Sequence, residues 1–562
     1  MAPLSSRRHP TLRCPRGLIW VGTVLISLLI DLAPSLWGAG NGRAMAADLL
    51  VLQIDDLQIP LRLDQLDAWS RRGERSAESG RSPSRRLATA RAAAAADRFG
   101  SDQDIWLNLL EPESRQGFTR LLRAPLLRDR SFGSQLLDSW AGSQMLAEVG
   151  DLLTTPEGRS TAGLLQTTLR ELLRQHREVT ALSLLQALPV PSVKLRIDSL
   201  FSLAGQWRRQ IELQSKAFAA LQHLGLPQRG SLPLLLPDRQ RRPQRVNLRV
   251  AHRSEPLPVD LWPASSARPS QQPWLLVLPG LGGNADQLGW LASALAQRGW
   301  SVAVPQHPGS DGTALRAALE GRRPPPGAET LAGRLLDVAA VLAARDRGQL
   351  PLPGDGVVLV GHSLGGLAAL LAAGVEPQPG LAERCRRAID RLPLGNPSRL
   401  LQCELVQTGV PAPLPRPRDL RGLMLFNGFG SLLWPDGATT ALPVPVLMVG
   451  GSLDLVTPPL EEQLRLFLPA GNPANRLVLV EGGSHFSPVR MAEQNEAVLR
   501  LGKELVGVDP ATAQNLLLSV GTEFLHTLER PRALPAQVRN QAGVRAYVLD
   551  PTEAGRWRRS QP

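Results

Sequence analysis

Cysteine is nearly missing from this chain, with three in 562 residues. No zinc-finger motif can be drawn from so few. No zinc-protease helix motif, phosphate-binding P-loop or dinucleotide fingerprint occurs either, so no metal and no cofactor is expected. No internal repeat stands out. The apolar stretch GLIWVGTVLISLLI, residues 17–30, ends at Asp31, short of the roughly 20 residues a membrane helix needs. Aromatic residues make up only 4% of the chain, and none interleave with basic residues as in an RNA-binding surface. The formal charge of +13 comes almost wholly from scattered arginines. That pattern reads as a solvated surface in an arginine-biased sequence, and no nucleic acid partner is expected.

The length exceeds that of one compact domain, so two folded units are expected. Arg7, Arg8, Arg13 and Arg16 precede the apolar stretch, and Ala44-Met45-Ala46 supplies a small-x-small cleavage pattern. Residues 1–46 therefore read as an export signal, with a periplasmic or extracellular destination; an uncleaved anchor is the alternative. Cys14 lies before the apolar run and cannot be a lipoprotein anchor. Cys385 and Cys403 either pair in an oxidising compartment or remain buried thiols. From residue 47 to 236 the texture is helical, with apolar residues at three- and four-residue steps in 164–175 and 199–225. The polar, proline-punctuated stretch 237–245 reads as a linker.

From 246 to 562 the period changes. Buried-strand patterns at 273–280, 356–360, 421–428, 443–451 and 475–483 alternate with helical ones. This order predicts an α/β domain with a mostly parallel sheet covered by helices on both faces. At residues 357–374, VVLVGHSLGGLAALLAAG, a buried strand runs directly into a small-residue helix with Ser363 at the join. A serine must stand clear of the sheet to meet a carbonyl carbon, and the tight turn that does this leaves no room for neighbouring side chains. Hence Gly361-His362-Ser363-Leu364-Gly365, a nucleophile elbow. The turn would aim the Leu364 N–H at a developing oxyanion, helped by the helix N-terminus.

A serine nucleophile needs a base and an acid, in chain order Ser, Asp or Glu, then His. Asp454 follows the strand at 443–451 and His485 the strand at 475–483. His485 would accept the serine proton, and Asp454 would fix its tautomer. Among eight histidines, His307 is the serious rival, but it comes early in the chain order. Asp436, in a WPDG turn, is the rival acid. The second oxyanion donor is expected at Leu281, in Pro279-Gly280-Leu281-Gly282-Gly283. The insert at 377–418 holds Cys385 and Cys403 and reads as a cap over the pocket or as a surface excursion.

These residues resemble the α/β-hydrolase superfamily. Within it, residues 245–500 are similar to predicted dienelactone hydrolases and platelet-activating-factor acetylhydrolase-like esterases, through VAVPQHPGSDG, RLLDVAAVL and VGHSLGG. The preceding helical segment resembles a domain of unknown function found before such hydrolases in cyanobacteria. The resemblance implies an eight-stranded, mostly parallel sheet and a separate N-terminal, mainly helical domain. True dienelactone hydrolases use a cysteine where this chain has Ser363. The expected function is hydrolysis of carboxylic esters, lipid esters among them, through an acyl-enzyme. Thioesters, lactones and peptides suit the same triad. A non-catalytic binding or scaffold protein is the alternative from another class, and a third reading makes the N-terminal domain a dock for a membrane surface or envelope partner.

Overall fold

The computed structural model describes residues 46–79, 118–120, 122–127, 130–176, 178–230, 241–265, 272–389, 393–490, 507–529 and 533–561. The expected signal segment up to Met45 and residues 237–240 of the expected linker lie outside them; the rest of that linker is described and runs into the strand Gln244–Leu248. Among the described residues no helix is long and apolar enough to cross a membrane. The chain divides into two compact units, one of residues 1–137 and 146–200 and one of 138–145 and 201–562.

The first unit holds more strand than its helical texture suggests. Strands β1 (Leu49–Ile54), β2 (Leu57–Arg62), β4 (Leu153–Thr154) and β6 (Ser192–Arg196) form a sheet in the order β2-β1-β6-β4, and β3 (Pro125–Leu127) pairs with β5 (Val179–Thr180). Asp55 and Asp56 turn the β1–β2 hairpin, with Asp55 at φ 49°, a left-handed conformation that aspartate tolerates better than most residues. Helix Ala162–Gln175 buries Leu165, Leu169, Leu172 and Leu173 along one stripe, which meets Leu66, Trp69 and Val193 in the unit's core.

The second unit is built on eleven strands, not the eight expected: β7 (Gln228–Gly230), β8 (Gln244–Leu248), β9 (Leu257–Trp262), β10 (Trp274–Leu278), β11 (Val302–Pro305), β12 (Val357–His362), β13 (Leu420–Phe426), β14 (Val446–Leu453), β15 (Arg476–Ser484), β16 (Gln537–Gln541) and β17 (Val544–Leu549). Their order is β7-β16-β17-β15-β14-β13-β12-β10-β11-β9-β8. The six from β11 to β15 are parallel. The additions come from β7, inside the stretch assigned to the helical domain, and from the β16–β17 hairpin. That hairpin turns on Ala542 and Gly543, both at positive φ (48° and 82°).

The parallel strands are apolar throughout because both faces are covered. Leu276, Leu278 and Leu359 point into one layer with helices Thr330–Asp346 and Leu364–Ala372. Leu275, Val277, Val358 and Val360 point into the other with helices Gly289–Gln297 and Pro510–Glu529. Ala217, Phe218 and Leu221, from helix Ile197–Leu221, also belong to the first of these layers. The unit boundary therefore falls at Leu200–Phe201, ahead of the expected domain end at 236. From β10 the chain moves to β11 on one side, then returns to β12 on the other. The crevice at the carboxyl ends of β10 and β12 is thus the switch point where open α/β sheets bind ligands.

Candidate active site

Ser363 stands at that switch point, directly after β12, with φ 53° and ψ −121°. Such a conformation costs a non-glycine residue about 1–3 kcal/mol, so the surroundings must hold it. The Ser363 N–H donates to Phe426 O at 3.0 Å. The flanking glycines are there for space: a Cβ on Gly361 would lie 2.3 Å from Gly365 O, and one on Gly365 would lie 2.1 Å from Leu278 O.

His485 follows β15 and reaches the serine. Its Nε2 lies 3.0 Å from Ser363 Oγ, and its Nδ1 lies 3.1 Å from Asp454 Oδ2. Asp454 follows β14 and is fully buried. As a carboxylate it can only accept, which puts the imidazole proton on Nδ1 and leaves Nε2 open to the serine hydroxyl. Asp454 also accepts from the Val456 and Thr457 N–H groups at 2.9 and 2.7 Å, from Thr457 Oγ1 at 2.6 Å and from Asn427 Nδ2 at 2.6 Å. Burial pushes its pKa up, but the His485 charge and these hydrogen bonds outweigh burial and hold it below the ordinary value. Thr457 and Asn427 escaped the sequence reading. Asn427 sits at φ 49° just past β13, a conformation no local motif announces.

His362, inside the elbow, shares a hydrogen bond of 3.0 Å with the carbonyl of His485 through its Nε2. Burial, then the His485 charge, push its pKa down to about 3, so it stays neutral. The rival His307 does not reach the serine; its Nδ1 lies 2.8 Å from Asp337 Oδ2. Burial and the Arg334 charge lower its pKa to about 4. Asp436, the rival acid, is exposed on its turn.

The glycine-rich loop after β10 lies against the nucleophile. A Cβ on Gly280 would stand 3.1 Å from Ser363 Cβ and 2.9 Å from His362 Nδ1. Leu281 N–H and Leu364 N–H donate to no group among the described residues. Leu364 opens its helix, where an N–H has no intrahelical partner. Two unused donors are thus present, one in the loop that abuts Ser363 and one on the residue that follows it.

The insert is tied internally and to the loops beside it. Helices Leu381–Ala388 and Ser398–Thr408 are joined by a Cys385–Cys403 disulfide with Cα atoms 5.4 Å apart. Buried Glu462 ties the second helix to the loop after β13. It accepts from Asn396 Nδ2 (2.8 Å), Ser398 Oγ (3.2 Å) and Gln402 Nε2 (3.1 Å) on the insert, and from Gly430 N–H, Ser431 N–H and Ser431 Oγ at 3.0 Å. The Ser398 N–H donates to Val456 O at 3.1 Å, so the insert abuts the loop that carries Asp454.

Residues 275–501 match the model of the alpha/beta hydrolase family. The chain carries an α/β-hydrolase domain. Residues 86–198 match a second family, described as an alpha/beta hydrolase of unknown function (DUF1400). Apart from residues 138–145 this match falls in the first unit, and its described residues contribute no strand to the eleven-stranded sheet. No curated protein matches the chain. Among solved structures, the acylaminoacyl peptidase of Pyrococcus horikoshii (orthorhombic crystal form) is similar at 10% identity and a TM-score of 0.32, over 52% of this chain and 42% of that one. The chain thus spans less than half of that peptidase, and a likeness of this size carries no argument about activity.

Proposed function

We propose that this α/β-hydrolase domain is a serine hydrolase that cleaves carboxylic esters. The observation that carries the reading is the continuous relay Ser363 Oγ–His485–Asp454, at 3.0 and 3.1 Å, on a strained elbow. Ser363 Oγ attacks the ester carbonyl carbon as His485 Nε2 takes its proton. The Leu281 and Leu364 N–H groups receive the carbonyl oxygen as it becomes an anion. His485 then protonates the departing alcohol, and in the second half it activates the water that splits the acyl-enzyme. Asp454 stabilises the imidazolium in both halves.

Apolar acyl or alcohol groups, lipid esters among them, are the first substrates to test. Helix Gly312–Leu319 leaves Leu315 and Leu319 40% and 55% exposed, and Leu315 packs over Gly282 in the glycine-rich loop. An oxidising, exported location accords with the bonded Cys385 and Cys403 and with the basic-apolar character of residues 1–46. The test is labelling by a fluorophosphonate, then turnover of p-nitrophenyl esters of rising chain length, for the wild type beside Ser363→Ala. Labelling and turnover that vanish in the variant support the reading; a folded wild type that shows neither defeats it. An N-terminus other than Ala47 on protein recovered outside the cytoplasm would count against cleavage after Ala46.

A further inference from the structure

Arg334 is a fully buried arginine on helix Thr330–Asp346, one turn from the equally buried Asp337. Its guanidinium donates to Pro279 O at 2.6 Å, Gly280 O at 2.8 Å, Ser310 O at 3.1 Å and Ser310 Oγ at 2.8 Å. The first two acceptors belong to the glycine-rich loop that carries Leu281. We propose that Arg334 is the positioning residue of the oxyanion hole: by gripping the two carbonyls ahead of Leu281, it sets the direction of the Leu281 N–H. The assignment rests on the serine hydrolase reading.

The argument is one of peptide geometry. Gly280 C=O and Leu281 N–H share one peptide plane, and in a trans peptide they point to opposite sides. Gly280 O is held twice, by Arg334 Nη2 and by the Gly283 N–H at 3.1 Å. The Leu281 N–H is therefore turned away from Arg334, and it is the N–H that finds no acceptor. Rotating this peptide would break both bonds and take one of its four acceptors from a buried guanidinium, so the free N–H is held before substrate arrives, as a preorganised donor requires. A charged donor on the carbonyl also polarises the whole peptide and strengthens its N–H as a donor. Ser310 O takes both Arg334 and the Gly282 N–H at 2.8 Å, fixing the far side of the loop.

Packing alone does not account for the residue, because burying a charge costs far more than burying an apolar side chain of the same volume. The surroundings are arranged to keep the charge. Asp337 and Asp311 offset it. Asp337 in turn is fixed by Arg253, His252 and His307. A lysine would keep the charge but cannot span both carbonyls and Ser310 with a fixed fork.

The test compares wild type, Arg334→Lys and Ser310→Ala on one ester, with active sites counted by fluorophosphonate titration. Each is also titrated with a trifluoromethyl ketone, to which Ser363 Oγ adds while His485 takes the proton and the ketone oxygen becomes the anion. The assignment expects Arg334→Lys to lose about 10- to 100-fold in kcat per active site, less than the roughly 100- to 1000-fold for outright removal of an oxyanion donor, because the N–H is mis-aimed and not removed. KM should stay within about twofold, and the ketone inhibition constant should rise in parallel with the loss in kcat. A purely structural role would instead lower the number of active sites and leave kcat per site and ketone affinity intact, which overturns the assignment. Where Arg334→Lys does not fold, Ser310→Ala decides: a parallel loss of a few-fold in both quantities supports the assignment, and no change overturns it. A wild type that neither cleaves esters nor binds the ketone defeats the hydrolase reading and this assignment with it. A competent wild type beside an unaltered variant defeats the assignment alone.

Discussion

Thr457 donates to both oxygens of Asp454, its N–H to Oδ1 at 2.7 Å and its hydroxyl to Oδ2 at 2.6 Å. The hydroxyl has one proton and also lies 3.1 Å from Asn427 O; the shorter, charge-assisted bond to the carboxylate takes it. Thr457 therefore holds the carboxylate plane that faces His485. Thr457→Val keeps the shape and removes the hydroxyl. A hydrogen bond to a charged group is worth about 1.5–3 kcal/mol, and each 1.4 kcal/mol or so lost from transition-state support is tenfold in rate. We expect kcat to fall about tenfold with KM little changed, and Thr457→Ser to recover most of it. Steady-state kinetics on a p-nitrophenyl ester would decide, and an unaltered kcat in the valine variant would show that the backbone bonds alone suffice.

What could be read from the sequence was whatever is local. Each central parallel strand is an apolar run bounded by glycine or proline, so the sheet and its covered faces were legible. Ser363, Asp454 and His485 were legible because each sits at a strand end with its own short pattern, and the structure brings the three together. Asn427, Arg334 and Glu462 were not, because their partners lie far along the chain, as Arg334 lies 55 residues from Pro279; Thr457 lies only three residues from Asp454 but carries no motif of its own. On an amphipathic helix Arg334 and Asp337 look like an ordinary solvated pair. Helix Ile197–Leu221 was seen as a helix, but periodicity does not say which core it joins. The β1–β2 hairpin had a signal, an apolar run before Asp55-Asp56 and alternation after it in Leu57-Gln58-Ile59-Pro60-Leu61-Arg62, and the helical texture downstream masked it.

Glu462 accepts hydrogen bonds from five uncharged donors on the insert and on the loop after β13, with the Ser398 hydroxyl, whose proton it shares with Asn396 Oδ1, beside them. Glu462→Gln is nearly isosteric, but its NH2 would face donors in place of acceptors. An unsatisfied buried group costs about 1–3 kcal/mol, and here donors on one side of the site lose their acceptor together. We expect a loss of about 3 kcal/mol, read from chemical denaturation, with increased cleavage of the 377–418 insert by added protease. A glutamine variant as stable as wild type would mean the site does not need a carboxylate.

Acid sensitivity follows from two buried histidines. Folded His307 and His362 have pKa values near 4 and 3 against 6.5 when exposed. Between pH 6.5 and 4 the unfolded chain therefore binds more protons than the folded one, so stability rises with pH across this window. It is fully present above 6.5 and falls by up to about 1.4 kcal/mol per pH unit for each histidine on acidification. Asp337, whose burial is outweighed by hydrogen bonds from His307 and Arg253, is held down at about 2. Its contribution is present above the ordinary carboxylate value and is lost only between about pH 4 and 2. Urea midpoints measured from pH 8 to 4.5 should drop steadily below 6.5, and a flat profile would mean that both rings take up protons as readily in the native state as in the unfolded chain.

The helix ending at Leu221 is structurally part of the hydrolase unit. Phe218 packs edge-on against Trp557 with ring centroids 6.2 Å apart, and Trp557 Nε1 donates to Ala217 O at 2.8 Å. Downstream of the helix, Pro227 O accepts the Val538 N–H at 2.9 Å, and β7 pairs with β16 at the sheet edge. Cutting the chain at the polar stretch, to leave residues 241–562, removes all of this. Burial of Phe218 and Leu221 is worth about 1.5–3 kcal/mol each, and the stranded indole N–H costs about 1–3 kcal/mol more. The sum is comparable to the whole stability of a typical domain, about 5–15 kcal/mol. Residues 201–562 should therefore be soluble with a cooperative melt, and residues 241–562 should aggregate or melt far lower. Equal melting of the two fragments would show that the helix joins the hydrolase core without stabilising it.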